Sequence, residues 1–223
     1  MQSLAIAEAG RGVDPRPSLA KAIADLEAVL AIHPDSATAW SNLAAAHRSV
    51  GDAEEDRGED PREAYGRAID ACDHALRLQP SSALTLVSRA GARFRVGEHE
   101  AGHGIDPRKE YDLAIADCTE AIRIDALVTD AWIGRANTWT RRGQAEGGLG
   151  LDGRDSYRRA TEDFSEAIAR NPKAWRAHMN RGQIEEALGR LDDAAKDYEE
   201  AISVVGAGYA PLQAMLARVK GRR

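Results

Sequence analysis

One spacing recurs along the chain too often for chance, and it limits the fold before any element is assigned. Pro34, Pro80, Ala126 and Pro172 stand 46 residues apart, and so do Gly51, Gly97, Gly143 and Gly189. Tyr65, Tyr111 and Tyr157 keep the same step, as do Ala22, Ala68, Ala114 and Ala160. A fixed period of this length in independent columns is the mark of a tandem array, in which each repeat hides its apolar side against the next.

The repeat reads as helical. In DPREAYGRAIDACDHALRLQP, the residues Tyr65, Ala68, Ile69, Cys72, Ala75 and Leu76 follow the three-and-four spacing of an amphipathic helix. Asp60 is expected as N-cap, Pro61 as first helical residue and Glu63 as partner of a capping box, with Pro80 ending the helix. The preceding helices, about Ala37 to Val50 and Ala83 to Val96, are expected to end at Gly51 and Gly97 in a left-handed cap. Small residues at Ala44, Ala90, Ala136 and Gly182 allow paired helices to approach closely.

Composition narrows the class. At 43% hydrophobic and 30% charged, the chain has enough apolar material to fold. Thirty Lys and Arg against 36 Asp and Glu give a net charge of −6, which argues against nucleic acid as a partner. No apolar run approaches the about 18 residues of a membrane span, and the N-terminus lacks the basic start of a signal peptide. A cytoplasmic location without membrane partners is expected. Two cysteines, Cys72 and Cys118, do not make a disulfide framework. They fill one core column of adjacent repeats, about 8–10 Å apart and beyond disulfide reach.

Within each repeat, W-x2-L-[GA]-x2-[YH] is followed by A-x3-[FC] and a closing proline. Trp40, Leu43, Ala44, His47, Ala68, Cys72 and Pro80 fill these columns in one copy, and Trp132, Ala136, Trp139, Ala160, Phe164 and Pro172 in another. The pattern resembles the tetratricopeptide repeat, a helix-turn-helix of about 34 residues. It departs at Leu86 and His178, which replace the tryptophan, and at Ala126 and Gly206, which replace the proline. The resemblance implies an all-α, right-handed α-solenoid of antiparallel helix pairs. The expected organisation is a truncated remnant at 1–14, an unpaired second helix at 15–34, and repeats at 35–80, 81–126 and 127–172. A repeat of the family's own length follows at 173–206, then a capping helix and basic tail at 207–223, where Leu212, Met215, Leu216 and Val219 keep helical spacing. Because the chain begins inside a repeat, it reads as a fragment, with an exposed apolar face on the helix from Pro15 to Ile32.

The longer repeats carry about twelve residues beyond the norm, between the glycine of the first helix and the tyrosine of the second. Each insert contains G-x-D-[PG]-R, at 58–62, 104–108 and 150–154, with a further copy at 12–16. A loop and helix start explain the aspartate and proline. The recurring Arg16, Arg62, Arg108 and Arg154 are not explained so, because the helix dipole disfavours a cation there; a shared acidic partner is expected.

Two columns change together. Leu43, Arg89, Arg135 and Arg181 occupy one position of the first helices, and Ala71, Asp117, Asp163 and Asp197 occupy one of the second. Arginine occurs wherever aspartate does, so three partly buried ion pairs are predicted: Arg89 with Asp117, Arg135 with Asp163 and Arg181 with Asp197.

The resemblance also implies that first helices line a concave groove. The candidate ligand-binding residues are then Arg48, Leu84, Val87, Phe94, Arg95, Ile133, Asn137, Arg141, Met179 and Gln183. Such a surface suits a peptide or amphipathic helix whose acidic groups meet Arg48, Arg95 and Arg141. Chaperone-tail binding is not expected, since Ser41, Val87, Ile133 and Met179 stand where that clamp uses charged and amide residues. No phosphate loop, H-E-x-x-H or G-x-S-x-G occurs, so no enzymatic activity and no cofactor are expected. Glu98, His99, Glu100, His103 and Asp106 could ligate a metal, but the group is not repeated and is read as solvated, with no metal site. The expected function is a protein-interaction scaffold; the alternatives are self-association through uncapped repeat ends and a regulatory segment of a larger signalling enzyme.

Overall fold

The computed structural model describes residues 14–222, so the 1–14 remnant lies outside the described residues except for Asp14. Among the described residues there are ten helices and no strand. They are α1 (Arg16–Ile32), α2 (Ala37–Asp56), α3 (Arg62–Leu78), α4 (Ala83–Gly102) and α5 (Arg108–Ile124), then α6 (Thr129–Gly148), α7 (Arg154–Arg170), α8 (Trp175–Ala187), α9 (Leu191–Val205) and α10 (Ala210–Lys220). The chain forms two compact units, one ending at Asp125 and one beginning at Ala126. In the first, α2 pairs with α3 and α4 with α5, while α1 lies on α2 and α3 on α4. In the second, α6 pairs with α7 and α8 with α9, while α7 packs on α8 and α10 on α9.

The inserted residues are mostly helix, which corrects the expected loop. Helices α2, α4 and α6 are each 20 residues long, against 13 for α8 in the shorter copy. They run through Gly51, Gly97 and Gly143 without stopping. The left-handed residues come later, at Gly58, Gly104 and Gly150 (φ 73°, 72° and 75°), whereas the shorter copy turns at Gly189 (φ 77°). Close packing accounts for the earlier glycines. A Cβ on Gly51 would lie 2.6 Å from Cε1 of Tyr65, and one on Gly97 2.5 Å from Cε1 of Tyr111. Both rings are almost wholly buried. The glycine column thus seats the tyrosine column instead of capping a helix.

The second helices also begin one residue later than expected. Pro61 is the N-cap, and the Asp60 carboxylate accepts the Arg62 backbone N–H at 3.1 Å. At the repeat entrances, Trp40 Nε1 donates to the Pro34 carbonyl (2.9 Å) and Trp132 Nε1 to that of Ala126 (3.0 Å). Only a carbonyl is needed there, so alanine can replace proline. Where His178 replaces tryptophan, its Nε2 still lies 3.3 Å from the Pro172 carbonyl.

The interior is built largely of alanine, which lets helix axes come close. Leu30, Leu43, Ala44, Ala71 and Cys72 form one cluster in the first unit; Phe164, Ala167 and Ile184 anchor one in the second. Cys72 and Cys118 are free and buried, and burial pushes the Cys72 thiol up to about 12. Helix α10 buries Leu212 and Val219; its Arg218, and Arg222 just past its end, reach Glu186 at 2.7 and 2.8 Å.

Candidate functional site

The arginine and aspartate columns meet side on. Arg89 places Nε 3.0 Å and Nη2 2.5 Å from the two oxygens of Asp117. Arg135 spans Asp163 at 2.7 Å on both arms, and Arg181 spans Asp197 at 2.8 and 2.6 Å. The three aspartate side chains are only 5–7% exposed. In the α2–α3 pair, the same columns hold Leu43 and Ala71, both buried in one apolar cluster. Sequence spacing did not reveal the wider networks. Arg89 also reaches Asp73 of α3 at 2.5 Å, Arg93 adds a 3.1 Å contact to Asp117, and Arg181 donates to Ser165 of α7 at 2.9 Å. The contacts to Asp73 and Ser165 tie the Arg89 and Arg181 pairs to the preceding helix.

Two of these aspartates titrate in opposite directions. Burial lifts Asp163 above the ordinary range despite Arg135, helped by the neighbouring Glu162 and Glu166. Burial acts the same way on Asp197, but hydrogen bonds from Arg181 and His178 outweigh it and leave its value lowered. Folded Asp163 takes up a proton at higher pH than the unfolded chain, so its charge opposes folding near neutrality and is relieved as pH falls through the raised value. Asp197 has the reverse sign: its stabilisation is present above the unfolded value and is lost as pH falls through the lowered one. Carboxyl carbon NMR should therefore show Asp163 protonating before Asp197 on acidification. The opposite order would refute this account of their environments.

The arginines of the inserts have a partner within their own motif. Arg16, Arg62 and Arg108 each fold back on the aspartate two residues earlier, with closest approaches of 2.7, 2.6 and 2.6 Å. In these three motifs the acidic partner is the motif's own aspartate. The Arg16 side chain holds Asp14 down at about 2, and Arg108 does the same to Asp106. These pairs are half-exposed, so screening by solvent limits what they add to stability. The copy with Gly153 in place of proline is looser: Arg154 Nε is 3.9 Å from Asp152, with both side chains over 70% exposed.

The expected groove residues divide by unit. In the first, Leu84 is 69% exposed, and Val87 and Phe94 are partly exposed on the same helix. Arg48 and Arg95 lie 3.5 and 3.3 Å from Asp52, and Arg95 also lies 3.8 Å from Glu55. An acidic ligand would have to displace those carboxylates. In the second unit, Asn180 donates to Asn137 (2.9 Å), Arg141 to Gln144 (3.0 Å), and Gln183 contacts the Met215 sulfur (3.9 Å). Met179 and Ile133 pack against apolar clusters. Most candidates there are therefore committed to internal contacts.

Sequence reasoning missed the acids that finish this face. Tyr65 donates from its hydroxyl to Asp52 (2.9 Å) and Glu55 (3.2 Å), Tyr111 to Glu98 (3.0 Å) and Tyr198 to Glu186 (3.1 Å). A column that keeps tyrosine, where phenylalanine would fill the space equally well, was the available signal. Of the possible metal ligands, Glu98 is taken by Tyr111, His103 stacks on His99 at 4.1 Å, and His99 Nε2 lies 3.5 Å from Asp60.

A tetratricopeptide-repeat family profile matches residues 148–211, across the end of α6, all of α7 to α9 and the start of α10. Pseudomonas aeruginosa PilF is similar in structure, with a TM-score of 0.64 at 17% identity over 97% of this chain and 80% of that one. TTC0263, a thermophilic TPR protein of Thermus thermophilus, gives 0.61 at 16% identity over 97% and 95%. The fold is that of a tetratricopeptide-repeat solenoid, and residues 148–211 match the family's profile. YrrB, described as a TPR protein with an unusual peptide-binding site, gives 0.54 at 16% identity over 98% and 89%. No curated protein matches the sequence. Among the described residues, no helix is long and apolar enough to cross a membrane.

Proposed function

We propose that the chain is a protein-interaction scaffold that takes an apolar peptide or helix on the first-helix face of its first unit, along α2 and α4. The observation that carries this reading is Leu84. A leucine 69% exposed is costly to leave in water, and Val87 lies one helical turn away, with Phe94 further along α4. Ala45 and Gly91, on the same columns of α2 and α4, leave room for a ligand backbone. YrrB, with the same type of fold, is described with a peptide-binding site, which supports the class of ligand. The test begins with peptides selected on the purified chain and mapped by amide exchange. Leu84→Glu changes an exposed side chain and should leave folding intact while weakening the selected peptide by about tenfold or more. Undiminished affinity would remove this surface from consideration.

A second reading rests on α1, whose Val29 and Ile32 are 43% and 73% exposed. Self-association through that helix would appear in light scattering as a mass that rises with concentration. A constant monomer mass would exclude it.

A further inference from the structure

Between α1, α2 and α3, the first unit holds a cleft of about 480 Å³. Two groups on its wall lack partners. His47, 7% exposed, makes no hydrogen bond or ion pair with a described residue, and Oε2 of Glu54 is buried without a hydrogen bond. Buried polar atoms are normally satisfied, so the Glu54 oxygen calls for an explanation.

The α6–α7 pair shows what this wall holds when it is complete. Two 46-residue periods on, His47 corresponds to Trp139, Val50 to Arg142, Glu54 to Glu146 and Ala64 to Ser156. There the Arg142 guanidinium lies 5.4 Å from the Trp139 ring centroid and 2.5 Å from Glu146, whose other oxygen accepts from Ser156 at 2.7 Å. In the first unit, Val50 and Ala64 remove the cation and the hydroxyl, while an aromatic ring and a carboxylate remain. The columns between them hold Arg93, Val96, Glu100 and Glu110, which offer no ring.

We propose that this cleft binds a guanidinium on an aliphatic stem, the chemistry of an arginine side chain, with its head on Glu54 and over the His47 ring and its stem along Ile23 and Ala24. Charge favours such a ligand: Glu27, Glu54, Asp60 and Glu63 line the cleft against Arg16 and Arg67. Arg16 is paired with Asp14 and Glu59, Arg67 with Glu63, and Asp60 with Arg62, which leaves Glu27 and Glu54 as the lining carboxylates without an ion pair among the described residues. Burial, and then Arg67, holds His47 below the ordinary histidine range, so its ring is neutral at pH 7 and can stack on a cation.

The test uses the full chain, propylguanidinium as probe and amide NMR shifts on α1 to α3 as readout. Saturable shifts are expected, absent with butyrate, and about tenfold weaker in Glu54→Gln. Val50→Arg rebuilds the α6–α7 arrangement internally and should abolish probe binding while raising the melting temperature. Acetyl-arginine methylamide separates the sources: tighter binding than the probe marks a polypeptide ligand, weaker binding a free small guanidine, and either upholds the site. No saturable shift at the cleft, unchanged affinity in Glu54→Gln, or full probe binding by Val50→Arg would overturn it.

Discussion

Asp117→Ala is expected to destabilise the first unit by about 3–5 kcal/mol, measured by urea denaturation. Asp117 is 4% exposed and accepts from both arms of Arg89 and from Arg93. Removing it leaves two largely buried guanidiniums with only Asp73 on Arg89 and the Leu113 carbonyl, 3.4 Å away, on Arg93. An uncompensated buried charge costs far more than the pair contributes, so the partners should behave as one object. The α2–α3 pair shows the alternative, since Leu43, His47 and Ala71 occupy the columns of Arg89, Arg93 and Asp117. Changing all three to those uncharged residues is expected to recover all but about 1 kcal/mol of the loss, because no charge is then left buried without its partner. If the triple variant is no more stable than Asp117→Ala, the charges are not coupled in this way.

Gly153→Pro is expected to lower stability by about 2 kcal/mol, although it restores the residue found in three sibling motifs. Backbone dihedral angles do not forbid it, because Gly153 has φ −82°, within reach of proline. Contact does. A Cβ at this position would lie 2.3 Å from the carbonyl oxygen of Gly143, a backbone atom that cannot swing aside. The start of α7 has come so close to α6 that a bare α-carbon is required, which accounts for the departure from D-P-R. Gly153→Ala should cost a similar amount by the same collision. Thermal denaturation would show a fall of about 5 °C for either variant, and an unchanged or raised midpoint would contradict the close approach.

Several features were legible in the sequence because they depend on neighbours along one helix or on a column repeated in register. The all-helical repeat fold follows from the 46-residue step combined with three-and-four spacing of apolar residues. The matched arginine and aspartate columns were visible in the same way. Helix ends were read less well. Glycine at 51 and 97 looks the same in sequence whether it breaks a helix or makes room for a ring, and only the position of Tyr65 and Tyr111 separates the two. The arginine of D-P-R was likewise expected to meet an acidic partner that the sequence did not identify, because its side chain can turn through several rotamers. The fold selects the one that returns to the aspartate two residues before it.

Sequence alone therefore determined the kind of element, its repetition and the face that each helix hides, since these are periodic and local. Tertiary structure decided which candidate residues stay available. Asn137, Met179 and Gln183 are taken up by neighbouring helices, Leu84 is left in water, and His47 and Glu54 face a cleft where a sibling pair carries its own arginine. The physical reason is that availability depends on what approaches a side chain across the gap between helices, and no spacing along the chain encodes that distance.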